Sequence, residues 1–248
     1  TFAELGIKKS YIKALKELNI VNPTEIQETV IPTLLKSKTD LIGLAQTGTG
    51  KTAAFGLPVL HAIDTTISEA QALIIAPTRE LVQQIKKQLS KFTKYSDKQV
   101  FVEGVYGGEK MDIQIRNLTR TTHVVVATPG RLLDLALDGI LKLKFIQKLV
   151  IDEVDVMLDL GFRFQLTNIF ELLPERRQNI MFSATMTDEI DVLIDDFFFQ
   201  PEKVAIALSG TPLDNIAQTC YQVKNFYTKV NLLGHLLRDK EEFSKVLV

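Results

Sequence analysis

Seven short runs of Val, Ile and Leu recur along this chain, and they constrain its fold more than any other feature. They are DLIGLA from 40, ALIIAP from 72, VFVEGVYGG from 100, HVVVATP from 123, KLVIDE from 148, NIMFSAT from 179 and KVAIAL from 203. Longer segments with helical periodicity separate them, including TRELVQQIKKQLSKF from Thr78 and DEIDVLIDDFF from Asp188. Such apolar runs are typical of parallel strands buried on both faces. The pattern predicts an α/β domain whose mostly parallel sheet carries helices on both faces.

The alternation ends near Leu208, so residues 1–208 form one predicted domain. Residues 209–220 form a predicted linker, because SGTPLDN from 209 concentrates turn-forming residues. Residues 221–248 contain a helical pattern from about Thr228 and a strand-like KVLV from Lys245. This last segment is too short to form a domain by itself.

Composition limits the classes of partner. The net charge of -1 shows no global basic bias, so any polyanion must be held by a local site. The single cysteine, Cys220, leaves no disulfide partner within the chain and favours a reducing compartment. The sequence has no apolar run of membrane-spanning length and no signal-peptide pattern, so we expect a soluble, cytoplasmic protein without a membrane partner.

The segment AQTGTGKT directly follows the first apolar run and opens a helical segment. In that context Gly48 and Gly50 let backbone N–H groups converge on phosphate oxygens, Lys51 supplies a charge, and Thr52 offers its hydroxyl to magnesium. A Gly-rich strand-helix turn without a ligand is the alternative, and the joint occurrence of loop and context disfavours it. The predicted nucleotide-binding residues here are Ala45, Gln46, Thr47, Gly48, Thr49, Gly50, Lys51 and Thr52. Ala45 stands where the usual pattern has its first glycine.

A second apolar run, KLVIDE, ends in acidic residues that packing alone does not explain. Asp152 and Glu153 are adjacent, and Asp155 follows two positions later. Unpaired buried carboxylates are costly, so a cationic group is expected nearby. Phosphate-loop proteins hold magnesium between the loop hydroxyl and such an Asp, so Thr52 and Asp152 are the predicted metal ligands.

Seven motifs occur in one order along the chain: NPTEIQ, AQTGTGKT, PTREL, YGG, TPGR, DEVD and SAT. Read together, they resemble the first RecA-like domain of DEAD-box RNA helicases over nearly all of residues 1–208. Residues 221–248 resemble the incomplete start of the second RecA-like domain. The resemblance implies an ATP-dependent RNA helicase that uses ATP and Mg²⁺ to remodel or locally unwind RNA. It also implies that this part is inactive without its second domain.

The same resemblance implies roles at the nucleotide. Lys51, Asp152 and Glu153 would be catalytic, with Glu153 orienting and deprotonating the attacking water. Gln27 would bond the adenine edge, and Phe2 would pack on the adenine face. An alternative for Gln27 is a capping box, because Thr24 lies three residues before it.

Three further residues would couple nucleotide state to nucleic-acid binding. The resemblance assigns Asp155 to the hydroxyls of Ser183 and Thr185, although such hydroxyls after a strand often only satisfy turn backbone. Val154 stands where the family name has Ala. Because its side chain bears no chemical group, we expect altered packing and unaltered chemistry.

The remaining motifs would contact a nucleic acid. Threonines at helix starts can bond phosphates, glycines allow close backbone approach, and arginines add charge. The residues are Thr78, Arg79, Gly107, Gly108, Thr128, Gly130 and Arg131. TPGR is also an ordinary helix start with Pro at the first position. Together the motifs suggest a sugar-phosphate track read without base contacts, and the choice of RNA over DNA rests on the resemblance.

Overall fold

A computed structural model of the chain describes residues 1–205, 217, 219–241 and 243–247. The chain divides into two units, Thr1–Leu208 and Ser209–Val248. Most of the predicted linker, at 209–216 and 218, lies outside the described residues. None of the described helices has the length and apolar character needed to cross a membrane.

The first unit is built on one sheet of seven strands. The strands are β1 (Leu41–Leu44), β2 (Ala72–Ile75), β3 (Val102–Val105), β4 (Val124–Ala127), β5 (Lys148–Ile151), β6 (Gln178–Ser183) and β7 (Glu202–Ala205). Their order is β3-β4-β2-β5-β6-β1-β7, and all neighbouring pairs are parallel. Each of the seven apolar runs therefore overlaps one strand, as predicted.

Helices precede the first strand and separate the later ones. They are α1 (Lys9–Glu17), α2 (Glu25–Lys36), α3 (Lys51–Ala62), α4 (Arg79–Phe92), α5 (Met111–Leu118), α6 (Pro129–Leu137), α7 (Val154–Asp159), α8 (Arg163–Leu172) and α9 (Asp188–Phe197), with a 3-10 turn at Leu143–Phe145. The two helices predicted from Thr78 and Asp188 are α4 and α9. Thr78 itself is the N-cap of α4.

The sheet separates two apolar cores. Successive strand side chains point to opposite faces, so Val124 and Val126 of β4 join one core while Val125 and Ala127 join the other. Helices α1 to α4 contribute to the first core and α6 to α9 to the second. Burying one such Val side chain contributes about 1.5–3 kcal/mol. The predicted arrangement, with helices on both faces, is confirmed.

The strand order sorts the sequence motifs into two groups at the carboxyl edge of the sheet. Strands β3, β4 and β2 are contiguous, and the loops after them carry YGG, TPGR and PTREL. Strands β5, β6 and β1 are also contiguous, and the loops after them carry DEVD, SAT and AQTGTGKT. We call these the β3-β4-β2 half and the β5-β6-β1 half of the edge.

The second unit contains α10 (Phe226–Leu236). Asn225 caps it, because its side-chain oxygen accepts the Thr228 N–H at 2.9 Å. The helix expected from about Thr228 is thus present and starts two residues earlier. The strand expected from Lys245 is not, since residues 245–247 have no strand structure and Val248 lies outside the described residues. A strand needs a hydrogen-bonded neighbour, and the described part of this unit contains no other strand.

Candidate functional site

The phosphate loop joins β1 to α3 and depends on two left-handed glycines. Gly48 has φ +83° and Gly50 has φ +94°, a region that favours glycine. A Cβ atom at Gly50 would lie 2.4 Å from the Gln27 Nε2 atom. The Thr49 hydroxyl donates to the Gln46 carbonyl at 2.8 Å and closes the loop. The loop therefore ends at the amino terminus of α3, where free N–H groups favour an anion.

A buried ion pair joins the end of this loop to the residue after β5. The Lys51 Nζ atom is 3.5 Å from the Asp152 Oδ1 atom, and the two side chains are 6% and 4% exposed. Neither atom has a hydrogen-bond partner among the described residues. Lys51 is the cationic partner that the acids after β5 require. A buried pair without further hydrogen bonds is costly, so this geometry suits a ligand that supplies them.

Burial raises the pKa of Asp152 to about 6. The adjacent Glu153 charge adds to the rise, and the Lys51 ammonium opposes it. Desolvation of the carboxylate is the largest cause, because the group is removed from water without enough compensating bonds. A cation bound at this carboxylate would reverse the effect.

The donors at this point fit magnesium held together with a nucleotide. Thr52, in the first turn of α3, offers a half-buried hydroxyl, and Asp152 offers carboxylate oxygens. The described residues contain no group of three or more His, Cys, Asp and Glu that could hold a metal ion. Magnesium commonly uses one or two protein ligands and completes its shell with phosphates and water. The residues present fit that arrangement.

Glu153 adopts a strained backbone conformation beside the pair. Its φ is +56° and ψ is 52°, the left-handed region, in a residue that is not glycine. Such strain costs about 1–3 kcal/mol and clusters at functional sites. The conformation turns the chain sharply between β5 and α7. Val154, the next residue, is fully buried in the second core, which agrees with the expected packing role.

Gln27 forms the helix cap that its spacing allows, and it also contacts the phosphate loop. Its Oε1 atom accepts the Thr24 N–H at 3.1 Å, so the side chain does cap α2. Its Nε2 atom donates to the Gly50 carbonyl at 3.0 Å, which ties α2 to the phosphate loop. The Thr24 hydroxyl adds a bond to the Thr49 carbonyl at 2.9 Å. The adenine contact stays a prediction.

Phe2 is 2% exposed and belongs to the first apolar core. Protein side chains therefore bury it in this structure. Its packing on an adenine face also stays a prediction.

Asp155 connects the loops after β5 and β6. Its Oδ2 atom accepts from the Thr185 hydroxyl, the Thr185 N–H and the Ala184 N–H, each at 3.1 Å. The expected bond to Ser183 is absent from the described contacts. The Ser183 hydroxyl donates instead to the Thr185 carbonyl at 2.7 Å, because this nearer acceptor satisfies the turn. The expected contact is therefore present at Thr185 and not at Ser183, and the coupling role of these residues stays a prediction.

The residues predicted to contact nucleic acid lie on the neighbouring loops of the β3-β4-β2 half. The Thr78 hydroxyl caps α4 by accepting the Leu81 N–H at 3.2 Å, whereas Thr128 starts α6 without a side-chain cap. Gly108 has φ +86°, and a Cβ there would lie 3.4 Å from an Arg79 guanidinium nitrogen. At Gly107 and Gly130 a Cβ would meet nothing within 4 Å, so the backbone is open to close approach there.

The two arginines of this half are held differently. The Arg79 guanidinium pairs with Glu80 at 3.0 Å on the exposed surface. The half-buried Arg131 donates from Nη1 to the Glu109 carbonyl and to the Gln114 Oε1 atom, both at 3.4 Å.

Two residues with contacts in these loops are not indicated by the sequence. Gln114 is one of them, because a single Gln in a short helix has no distinguishing pattern. Thr24 was noticed only for its capping-box spacing, which did not reveal its bond to the phosphate loop.

Together the fold and this edge define a RecA-like α/β domain with a phosphate loop. The family model described as DEAD/DEAH box helicase matches residues 24–193. The chain belongs to that family.

Two curated proteins and one solved structure illustrate what the chain is similar to. The chain is 42% identical over 242 residues to the ATP-dependent RNA helicase CshA of Listeria monocytogenes, covering 98% of this chain and 43% of that protein. It is 39% identical over 248 residues to the ATP-dependent RNA helicase DeaD of Escherichia coli K12, covering 100% of this chain and 39% of that protein. A crystal structure of a DEAD box protein from Methanococcus jannaschii aligns with TM-score 0.80 and 31% identity, covering 97% of this chain and 64% of that one. The chain thus spans less than half of the two relatives.

Proposed function

We propose that this chain is the ATP-binding part of an ATP-dependent RNA helicase of the DEAD-box type, with DEVD at 152–155 as the variant form of its acidic motif. The observation that carries the proposal is the buried Lys51–Asp152 pair, whose Nζ and Oδ1 atoms are 3.5 Å apart and have no hydrogen-bond partner among the described residues. Lys51 ends a phosphate loop in which Gly48 and Gly50 have positive φ. Family membership and the names of the relatives support the same activity.

The nucleotide is ATP with Mg²⁺ in this proposal. The loop residues 45–52 hold the phosphates, Lys51 contributes charge to them, and Thr52 and Asp152 hold the metal, which supplies charge neutralisation on the phosphate oxygens. Gln27 bonds the adenine edge, and Phe2 packs on the adenine face. Gln27 already bonds the Gly50 carbonyl, so an adenine that recruits its amide would also alter the loop.

Glu153 is the proposed base for hydrolysis. It directly follows Asp152, the residue assigned to the metal, and its backbone is left-handed. From there its carboxylate orients the attacking water and accepts its proton. Asp155 acts through its bonds to Ala184 and Thr185, by which a shift at the nucleotide would reach the loop after β6.

RNA is the proposed substrate along the β3-β4-β2 half. Exposed backbone at Gly107, the two threonines at helix starts and the two arginines suit a sugar-phosphate chain read without base contacts. The proposed organisation is an ATP-binding domain at 1–208, a linker at 209–220 and the beginning of a second RecA-like domain at 221–248. That second domain is the partner that completes the site, and the protein is proposed to act in the cytoplasm, with Cys220 as a free thiol.

ATPase measurement tests the proposal. We expect single-stranded RNA to stimulate ATP hydrolysis by the protein that contains both RecA-like domains, and single-stranded DNA of the same length to stimulate it much less. The present chain alone should bind Mg-ATP and hydrolyse it at background rate, because arginines from a second domain typically contribute roughly 10³ to 10⁵ in rate. Equal stimulation by DNA would contradict the choice of RNA, and RNA-stimulated turnover by this chain alone would contradict the need for a second domain.

A further inference from the structure

Gln114 joins the two loops that carry YGG and TPGR. Its Nε2 atom donates to the Tyr106 carbonyl at 2.7 Å and to the Glu109 Oε2 atom at 3.0 Å. Its Oε1 atom accepts from Arg131 Nη1 at 3.4 Å. One side chain thus bonds both ends of the Gly107 and Gly108 turn and also the arginine of the next loop.

Packing alone does not account for a glutamine at this position. Gln114 is 1% exposed and is the one buried side chain of α5, whose residues are all described. Burying an amide is unfavourable unless its hydrogen bonds are made, and an apolar side chain would bury more favourably. The contacts use both amide hydrogens and the amide oxygen, which indicates a requirement for orientation.

The charge of the groups that contact Arg131 also matters. Within the described residues Arg131 has no acidic partner within 4.0 Å, and its two contacts go to neutral oxygens at 3.4 Å. Neutral acceptors orient a guanidinium without cancelling its charge. A carboxylate in place of the amide would form an ion pair with Arg131 and would compete with a phosphate.

We propose that Gln114 is a positioning residue for nucleic-acid binding, which fixes the Gly107 and Gly108 turn and holds Arg131 oriented and uncompensated for a backbone phosphate. The inference rests on the proposed RNA function of this edge. It adds a residue that touches no nucleic acid and acts through those that do. Gln83 contacts the residue before the same turn by donating to the Tyr106 hydroxyl at 3.0 Å.

RNA-stimulated ATPase of the protein with both RecA-like domains tests this role, with single-stranded poly(A) RNA as the probe. For Gln114→Ala we expect the KM for RNA to rise about tenfold, the equivalent of one or two lost hydrogen bonds, with smaller changes in kcat and in the KM for ATP. Gln114→Glu keeps the size of the side chain and should raise the KM for RNA further, because it neutralises Arg131 and repels Glu109. Ile113→Ala, an exposed change on the same helix, should leave all three constants unchanged.

A double variant distinguishes positioning from general damage. If Gln114 acts through Arg131, the KM for RNA of the double variant should rise by less than the product of the increases caused by Gln114→Ala and Arg131→Ala alone. Thermal unfolding checks the fold, and if Gln114→Ala does not fold, Gln114→Glu carries the same comparison. Fully multiplicative losses, or an unchanged KM for RNA in both Gln114 variants, would overturn the inference while the proposed function stands. A parent protein that RNA does not stimulate would instead overturn the proposed function and this inference with it.

Discussion

The two halves of the carboxyl edge are built on the same parallel sheet but differ in the burial of their charged groups. In the β5-β6-β1 half, Lys51 and Asp152 are buried, their Nζ and Oδ1 atoms have no hydrogen-bond partner among the described residues, and the backbone at Glu153 is strained. In the β3-β4-β2 half, Thr78 and Arg79 are exposed and already bonded within the protein. In the described residues the first half therefore leaves buried polar atoms without partners, whereas the named side chains of the second half already have them.

Because of this difference, the first half indicates its function more strongly than the second half does. Burial and strain reduce stability, so their presence at one point calls for a compensating role. Exposed threonines and arginines carry no such penalty, because water satisfies them. A nucleotide site is therefore strongly indicated by its energetics, and a nucleic-acid track is indicated mainly by the shared location of its residues. Substitutions in each half should reflect this contrast.

The largest effect is expected for Glu153→Gln in the protein with both RecA-like domains. The amide preserves the shape of the side chain and removes the base, so turnover should fall on the order of 10² to 10⁴-fold while ATP binding persists. Single-turnover hydrolysis and binding of a fluorescent ATP analogue measure the two quantities. Glu171→Gln, an exposed change of the same type on α8, is the matched control. Hydrolysis at the parent rate would show that the strained residue is not the base.

The second prediction concerns pH and the buried pair. Because burial raises the pKa of Asp152 to about 6 in the folded chain, the carboxyl there holds its proton over a range in which the unfolded chain has lost it. The free energy of unfolding should therefore fall by about 3 kcal/mol through this group as the pH rises from about 4 to about 6.5. Above this range the loss is complete, and below about pH 4 it is absent.

Denaturant unfolding at a series of pH values measures how the free energy of unfolding changes with pH. The Asp152→Asn variant should lack this component, whatever its stability at any single pH. Bound Mg-ADP should also remove it from the parent chain, because a metal stabilises the carboxylate anion. The same slope in parent and Asp152→Asn would mean that other groups produce it, and the contrast between the two halves would lose its energetic basis.

The third prediction concerns Val154, which is fully buried behind the acidic motif. Val154→Ala should reduce the free energy of unfolding by about 1–2 kcal/mol through lost packing, with little change in turnover. Denaturant unfolding and ATPase of the same preparation give both values. A large fall in ATPase without loss of stability would assign this position to the chemistry of the β5-β6-β1 half.

The smallest effects separate two threonines of the β3-β4-β2 half. Thr78→Ala should cost about 1 kcal/mol of stability, because its hydroxyl caps α4, and Thr128→Ala should cost less than about 0.5 kcal/mol, because its hydroxyl caps nothing. Both should weaken RNA binding several-fold in the protein with both RecA-like domains. Equal stability losses would show that capping does not distinguish them, and unchanged RNA binding in both would remove them from the track.

Part of this architecture was readable from the sequence because it depends on local rules. Continuous apolar runs predicted all seven strands, and the glycines at 48 and 50 predicted a loop that needs positive φ. The strand-like KVLV from Lys245 shows where local rules fail. Residues 245–247 have suitable side chains, but the described part of the second unit provides no neighbouring strand.

The sequence by itself determined the motifs, their order and the alternation of strands and helices, since each depends on residues close together in the chain. Only the tertiary structure decided the strand order that separates the two halves, the 3.5 Å approach of Lys51 to Asp152, and the bonds of Gln114 to two loops. It also decided that Asp155 bonds Thr185 and Ala184 while Ser183 turns to a nearer carbonyl. Each of these contacts depends on which strands become neighbours and on which buried polar atoms find partners, and both are properties of the packed sheet.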